Sequence, residues 1–212
     1  MLTPHRQAVV DAARIAQELV ARPEVADAWR AESACAGMTV GGLAHHLVRQ
    51  AVLLAELLDA PPSGDLSPLL EHYEQAPWVR GNHDHPANVS VRTSSDEQSA
   101  VGVEAVLAGA RAALDRLPEL LAAPRDPDAV FIPWQGWALT VDDLVTTRLM
   151  ETIVHSDDLA ASVGLPTPEF PEPALTPVLG LLTGVAVRRH GQAAVVRALS
   201  RPQRAPDHVS AF

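Results

Sequence analysis

Arg148, Glu151, His155 and Asp158 follow one another in steps of three, four and three near the centre of this chain. On a helix that spacing lines all four along one narrow stripe. Val141, Val145, Leu149, Met150, Ile153 and Val154 occupy much of the remaining circumference, so the helix is expected to be largely buried. Its polar stripe must then face something other than bulk water. Buried Glu and His side chains need a partner, because an unpaired buried charge costs several kcal/mol, roughly, before the group neutralises instead. A metal ion is one such partner, and the i, i+4 spacing of Glu151 and His155 can bring both heads to one ion. The alternative is an exposed pair or a hydrogen-bonded core pair, since Glu-x-x-x-His on a helix is common by chance.

The helix that carries the stripe spans residues 144–164, with Asp142 or Asp143 expected as its cap and Gly164 followed by Pro166 as its stop. Thr3-Pro4 opens a first helix, whose apolar positions Val9, Ala12, Ala13, Ile15, Ala16, Leu19 and Val20 repeat until Pro23. A connector over Glu24–Met38 contains Trp29 and Cys35. Thr39 then caps a second helix running to about Asp59, with Leu43, Leu47, Leu53, Leu54 and Leu57 along its apolar stripe. His46 lies within that stripe, whereas His45 projects about 100° away. His46 thus faces the core and His45 its edge or solvent. A core-facing His from one helix, with Glu and His from another, is what a metal site in a helical bundle requires. A buried core histidine with no further role is the other reading of His46.

Residues 60–94 read as a long irregular region with a short helix at Leu69–Gln75, and loops of that length are uncommon unless they cover a site. Asn82-His83-Asp84-His85 is expected to be solvated surface. A third helix is expected from Ser95 or Asp96 to about Leu117, followed by a connector, Pro124–Trp137. Trp134 and Trp137 within it are placed either to wall a pocket beside the central helix or to anchor packing. Leu165–Pro173, with four prolines, is a stiff spacer. Leu175 to about Leu199 is a fifth helix that Gly191 can break, and Arg201–Phe212 is a polar surface tail. The whole is an all-α bundle, with residues 1–165 as the bundle and 166–212 as spacer, helix and tail packed on the same domain. The long gap between helices two and three permits a crossover connection.

Composition narrows the partners. The net charge of −10 argues against nucleic acid or an anionic membrane, either of which needs a basic footprint. All 16 basic residues are Arg, which excludes a Schiff-base lysine and a P-loop lysine. A single cysteine, Cys35, excludes an intrachain disulfide. No apolar run approaches the ~20 residues of a membrane span. A soluble, cytoplasmic protein is the expectation.

Two segments carry a family resemblance. Thr39-Val-Gly-Gly-Leu-Ala-His-His46-Leu resembles the Thr-Val-x-x-Leu-x-x-His-Leu segment of DinB-like proteins in the mycothiol-dependent maleylpyruvate isomerase group. Arg148-Leu-Met-Glu151-Thr-Ile-Val-His155-Ser-Asp-Asp158-Leu-Ala resembles that group's Glu-x-x-x-His-x-x-Asp-Leu segment. The likeness spans roughly residues 1–165. It implies a DinB-like four-helix bundle holding one divalent metal, often zinc, through His46, Glu151 and His155. It also implies mycothiol as thiol cosubstrate, and a homodimer. Cys35-Ala-Gly-Met38 stands where the family often has Cys-Pro-Gly-Trp. The isomerase proper carries a separate C-terminal domain with a catalytic Arg that has no counterpart placed here.

Three protein ligands leave a position open, as in catalytic sites. The expected activity is that of a thiol-utilising S-transferase or isomerase acting on a small electrophilic molecule. Arg148 and Asp158 would orient ligands or substrate; Arg148 paired with Asp158 or Glu151 is the non-catalytic alternative. Cys35, in a connector without a basic neighbour in sequence, is not expected to be a nucleophile. A non-catalytic metal-binding bundle and a hydrolase using metal-bound water are the rival functions.

Overall fold

The structure, a computed structural model, describes residues 1–76, 79 and 84–212. Its helices are α1 (Pro4–Val20), α2 (Pro23–Asp27), α3 (Val40–Asp59), α4 (Leu69–Gln75), α5 (Pro86–Ser99), α6 (Val103–Ala122), α7 (Val141–Val163), α8 (Glu172–His190) and α9 (Gln192–Ser200). A threonine opens each of the helices that matter most here. Thr3, Thr39 and Thr140 sit in extended conformation and accept from the backbone N–H three residues on, those of Arg6, Gly42 and Asp143, so a donor the helix leaves orphaned is satisfied. Thr140, not Asp142 or Asp143, therefore caps the central helix. The two acids lie inside its first turn, where negative charge favours the helix dipole.

Four helices, α1, α3, α6 and α7, surround the core. Leu43, Leu47, Leu54, Leu107, Leu117, Leu144 and Leu149 are each at most 2% exposed. Their directions follow from contacts at the ends. Arg6 at the start of α1 reaches the Leu121 carbonyl at the end of α6 and Asp142 at the start of α7. Arg125, just past α6, donates to the carbonyls of Leu58 and Ala60 at the end of α3. Hence α1 and α7 run one way, α3 and α6 the other. Parallel α3 and α6 need a crossover, and the long connection supplies it.

That connection is more helical than expected. Residues 86–94, read as irregular, form the first part of α5. Pro86 occupies its first turn, with His85 accepting from the Ala87 N–H. The expected single third helix is divided, because Gly102 takes φ 88° and interrupts the chain between α5 and α6. Asn82 and His83 lie outside the described residues. A second difference is a short antiparallel hairpin, β1 (Val130–Ile132) with β2 (Trp137–Leu139), in place of the connector before α7. Three-residue strands are too short for alternation to register in sequence. Helix α2 likewise replaces the start of the Glu24–Met38 connector. The fifth helix starts three residues early and divides at Gly191, φ 83°, into α8 and α9. Val178, Leu181 and Val185 of α8 join the main core. The tail is mostly exposed, yet Phe212 lays its ring against Tyr73, centroids 5.7 Å apart. No helix among the described residues is long and apolar enough to cross a membrane.

Candidate metal centre

Helices α3 and α7 lie antiparallel, and their facing residues form the site. Ala34, just before α3, donates to Ser162 near the end of α7 (2.8 Å), and Gln50, further along α3, accepts from Arg148 (2.6 Å). Between these points His46 meets Glu151 and His155. His46 Nε2 lies 3.4 Å and His155 Nε2 3.3 Å from Glu151 Oε2. The two imidazoles stand edge to face, centroids 4.8 Å apart. One ligand atom from each of the three residues falls within 4.8 Å of the others. The helical turn between Glu151 and His155 fixes their pairing, and the antiparallel packing of α3 brings His46 to them.

Asp158 completes the constellation from behind. Its Oδ2 is 2.9 Å from His155 Nδ1, so the ring is held with Nε2 turned toward Glu151. Carboxylate support of the outer nitrogen is the usual backing of a metal-bound histidine. Nitrogen and carboxylate oxygen donors from three residues suit a divalent ion such as zinc. The side chains of His46, Glu151 and His155 remain 18%, 14% and 22% exposed. A ligand from solvent can therefore reach an ion held there.

Burial pushes the Glu151 carboxyl up, but hydrogen bonds from His155 and His46, with the charges of His155 and Arg148, bring it well below the usual range. Burial lowers His46, offset in part by Glu151, and keeps it neutral. His155 is the opposite case. Against burial, hydrogen bonds with Asp158, Cys35 and Glu151 raise it well above an ordinary histidine. His155 without an ion is thus an imidazolium between two carboxylates, and a cation replacing its Nε2 proton would meet the same field.

Arg148 does not pair with Glu151 or Asp158. Its Nε donates to Thr147 Oγ1 (3.0 Å) and its Nη1 to Gln50 Oε1 (2.6 Å). Gln50 in turn donates to the His46 carbonyl (2.9 Å). Its place one turn past His46 was a signal available in the sequence. The connector folds Cys35 onto α7, with Sγ donating to Asp158 Oδ2 at 3.4 Å. Only tertiary packing brings it there. His45 stands outside the cluster, partly exposed, its pKa pushed down to about 4 by burial and the neighbouring Arg49 and His46 charges. Trp134 is 58% exposed and walls nothing, whereas the Trp137 indole donates to His72 Nδ1 (3.0 Å).

A family model described as the mycothiol maleylpyruvate isomerase N-terminal domain matches residues 9–160. The chain belongs to that family. The match covers most of the chain and includes both helices that form the centre. It agrees with the helical, DinB-like architecture of the mycothiol maleylpyruvate isomerase N-terminal domain family. A search of the curated proteins finds no match, and a search of the solved structures finds none either.

Proposed function

We propose that this protein is a metal-dependent enzyme that uses a small thiol, mycothiol by family, against a small electrophilic molecule in a transferase- or isomerase-type reaction. The observation that carries the reading is the convergence of His46, Glu151 and His155, with Asp158 behind His155. These three residues would hold the ion, and zinc suits their donors. When bound, such an ion supplies Lewis acidity that keeps a coordinating thiol deprotonated near neutral pH.

The protein's own groups do the rest. Neutral His46 brings no positive charge of its own to the centre, and its Nε2 faces Glu151 Oε2. Glu151 stays ionised and contributes charge. Asp158 takes the hydrogen bond of His155 Nδ1–H and thereby fixes which nitrogen faces the centre. Arg148, held by Gln50 and Thr147, places a cation one turn along α7 from Glu151, where it can orient an incoming molecule.

Elemental analysis of the native protein and of His155→Ala tests the reading. About one zinc or similar ion per native chain, lost in the variant, supports it and leads to a screen of thiols with electrophiles. Metal in neither protein after reconstitution overturns it. Turnover without any thiol would instead identify a hydrolase.

A further inference from the structure

At the other ring nitrogen of His155, behind the metal centre, lies a second set of donors. Cys35 Sγ is 3.4 Å from Asp158 Oδ2, which is itself 2.9 Å from His155 Nδ1. One atom from each of Cys35, His155 and Asp158 falls within 4.8 Å of the other two. A tetrahedral ion with bonds of about 2.0–2.3 Å sets its donors roughly 3.5 Å apart. The trio therefore already stands near the spacing that an ion imposes. All three residues are partly exposed, so an ion can enter from solvent.

The position of the thiol is fixed by its loop. The Cys35 N–H donates to Ser33 Oγ (3.2 Å), and that hydroxyl donates to the Cys35 carbonyl (3.1 Å). The Met38 N–H donates to the same carbonyl, also at 3.1 Å. The Ala34 N–H ties the loop to Ser162 Oγ (2.8 Å), and the Ser162 hydroxyl donates to the Asp158 carbonyl (2.6 Å). Sulfur and carboxylate are thus held in register by backbone on both sides. A thiol is only a weak hydrogen-bond donor, so its contact with Asp158 gives the fold little, whereas a thiolate is a strong ligand for soft ions.

We propose that Cys35 Sγ, His155 Nδ1 and Asp158 form a second cation position, one that takes a thiophilic divalent ion such as cadmium. His46, Glu151 and His155 offer nitrogen and oxygen alone, whereas this set adds the chain's single cysteine, and sulfur is what separates soft ions from hard ones. On binding, the Cys35 S–H and His155 Nδ1–H protons leave to solvent and their electron pairs go to the ion. A neutral imidazole has one lone pair to give, so an ion at Nδ1 and one at Nε2 draw on the same ring. Occupation of this position would take His155 from the first centre. It shares only His155 with that centre's three residues, so it stands whether or not zinc binds there.

The test is a titration of the full, reduced chain with cadmium-113 after nitrogen-15 labelling of histidine. The ion should give a thiolate-to-cadmium charge-transfer band in the ultraviolet, saturating at about one ion per chain, and a cadmium–nitrogen coupling to His155 Nδ1. Cys35→Ser should abolish the band. Asp158→Asn should weaken cadmium binding about ten-fold and His155→Ala by at least as much, while His46→Ala should leave the band in place. The coupling is read in the native protein and so does not depend on how well any variant folds. Absence of the band from the native protein, or its loss in His46→Ala, overturns the inference. A band without coupling to Nδ1, or one equally strong in Asp158→Asn and His155→Ala, would mean a lone thiol and overturns it as well. Zinc content of His46→Ala, measured on the same samples, reports separately on the first centre.

Discussion

His155 uses both of its ring nitrogens, Nδ1 against Asp158 and Nε2 toward Glu151. An acceptor behind a ligating histidine orients the ring and raises its basicity, and losing it costs about 10- to 100-fold in metal affinity. Asp158→Asn should therefore weaken zinc binding by about that factor, measured by competition with a chromophoric chelator. The amide that replaces the carboxylate keeps its size and can still accept from Cys35. The urea midpoint of the metal-free protein should accordingly move less than in a variant that removes a core side chain. A second residue-scale expectation concerns His72. Its folded pKa of about 4 lies below its unfolded value of 6.5, so the unfolded chain takes up this proton first as the solution is acidified. The stability it contributes is fully present above pH 6.5 and is lost as pH falls toward 4, about 3 kcal/mol in all. His45 titrates over the same window, so the measurement is a difference. Urea unfolding of the native protein and of His72→Phe between pH 7 and 4 should show a shallower acid loss in the variant.

At the scale of elements, the sequence is most legible where a cap, an apolar period and a stop coincide. Thr39 and the leucine stripe locate α3 to the residue, and the same stripe distinguishes His46 from His45. The pairing of Glu151 with His155 is local, one helical turn, and so is readable. Its meeting with His46 depends on α3 running antiparallel to α7, which no local pattern states and which the family segments alone foretold. The start of α5 is not legible because Ala87-Asn-Val-Ser-Val-Arg-Thr-Ser-Ser95 has no apolar period. Its anchoring is polar and tertiary. Ser95 and Ser99 are buried, and Asp96 Oδ1 accepts from both the Thr39 N–H (3.0 Å) and the Thr39 hydroxyl (2.6 Å) at the start of α3. The place of Cys35 is hidden for the same reason, since the fold back onto α7 is fixed by contacts such as Ala34 with Ser162. Asp96→Ala should thus destabilise the protein by about 2 kcal/mol, the range of hydrogen bonds to a charged group, seen as a lower urea midpoint at unchanged slope. An unchanged midpoint would mean that α5 is held to α3 by its apolar contacts alone.

Across the whole molecule, the seams between helices are not alike. Val10 of α1 and Leu117 and Leu121 of α6 are at most 1% exposed, as in any filled bundle core. The α3–α7 seam instead carries Gln50, His46, Arg148, Glu151, His155 and Asp158 in succession, with the three candidate ligands still open to solvent. The charges there are mutually satisfied only in part: among the described residues His155 has two carboxylates within ion-pair distance and Arg148 has none. An ion held by residues from both helices would join α3 to α7 across this polar part of their seam. Because the unfolded chain cannot present these residues together, binding must stabilise the fold by mass action, about 2.7 kcal/mol at free zinc one hundred times Kd. Thermal unfolding should consequently shift upward with zinc concentration in the native protein. His155→Ala should abolish that dependence, and a Tm that rises equally in the variant would place the zinc elsewhere. Binding should also release a proton, since His155 is an imidazolium in the metal-free protein and a ligand must be neutral. Calorimetric titrations with zinc in buffers of different ionisation enthalpy count that proton directly, and its absence would mean that His155 does not enter the coordination sphere.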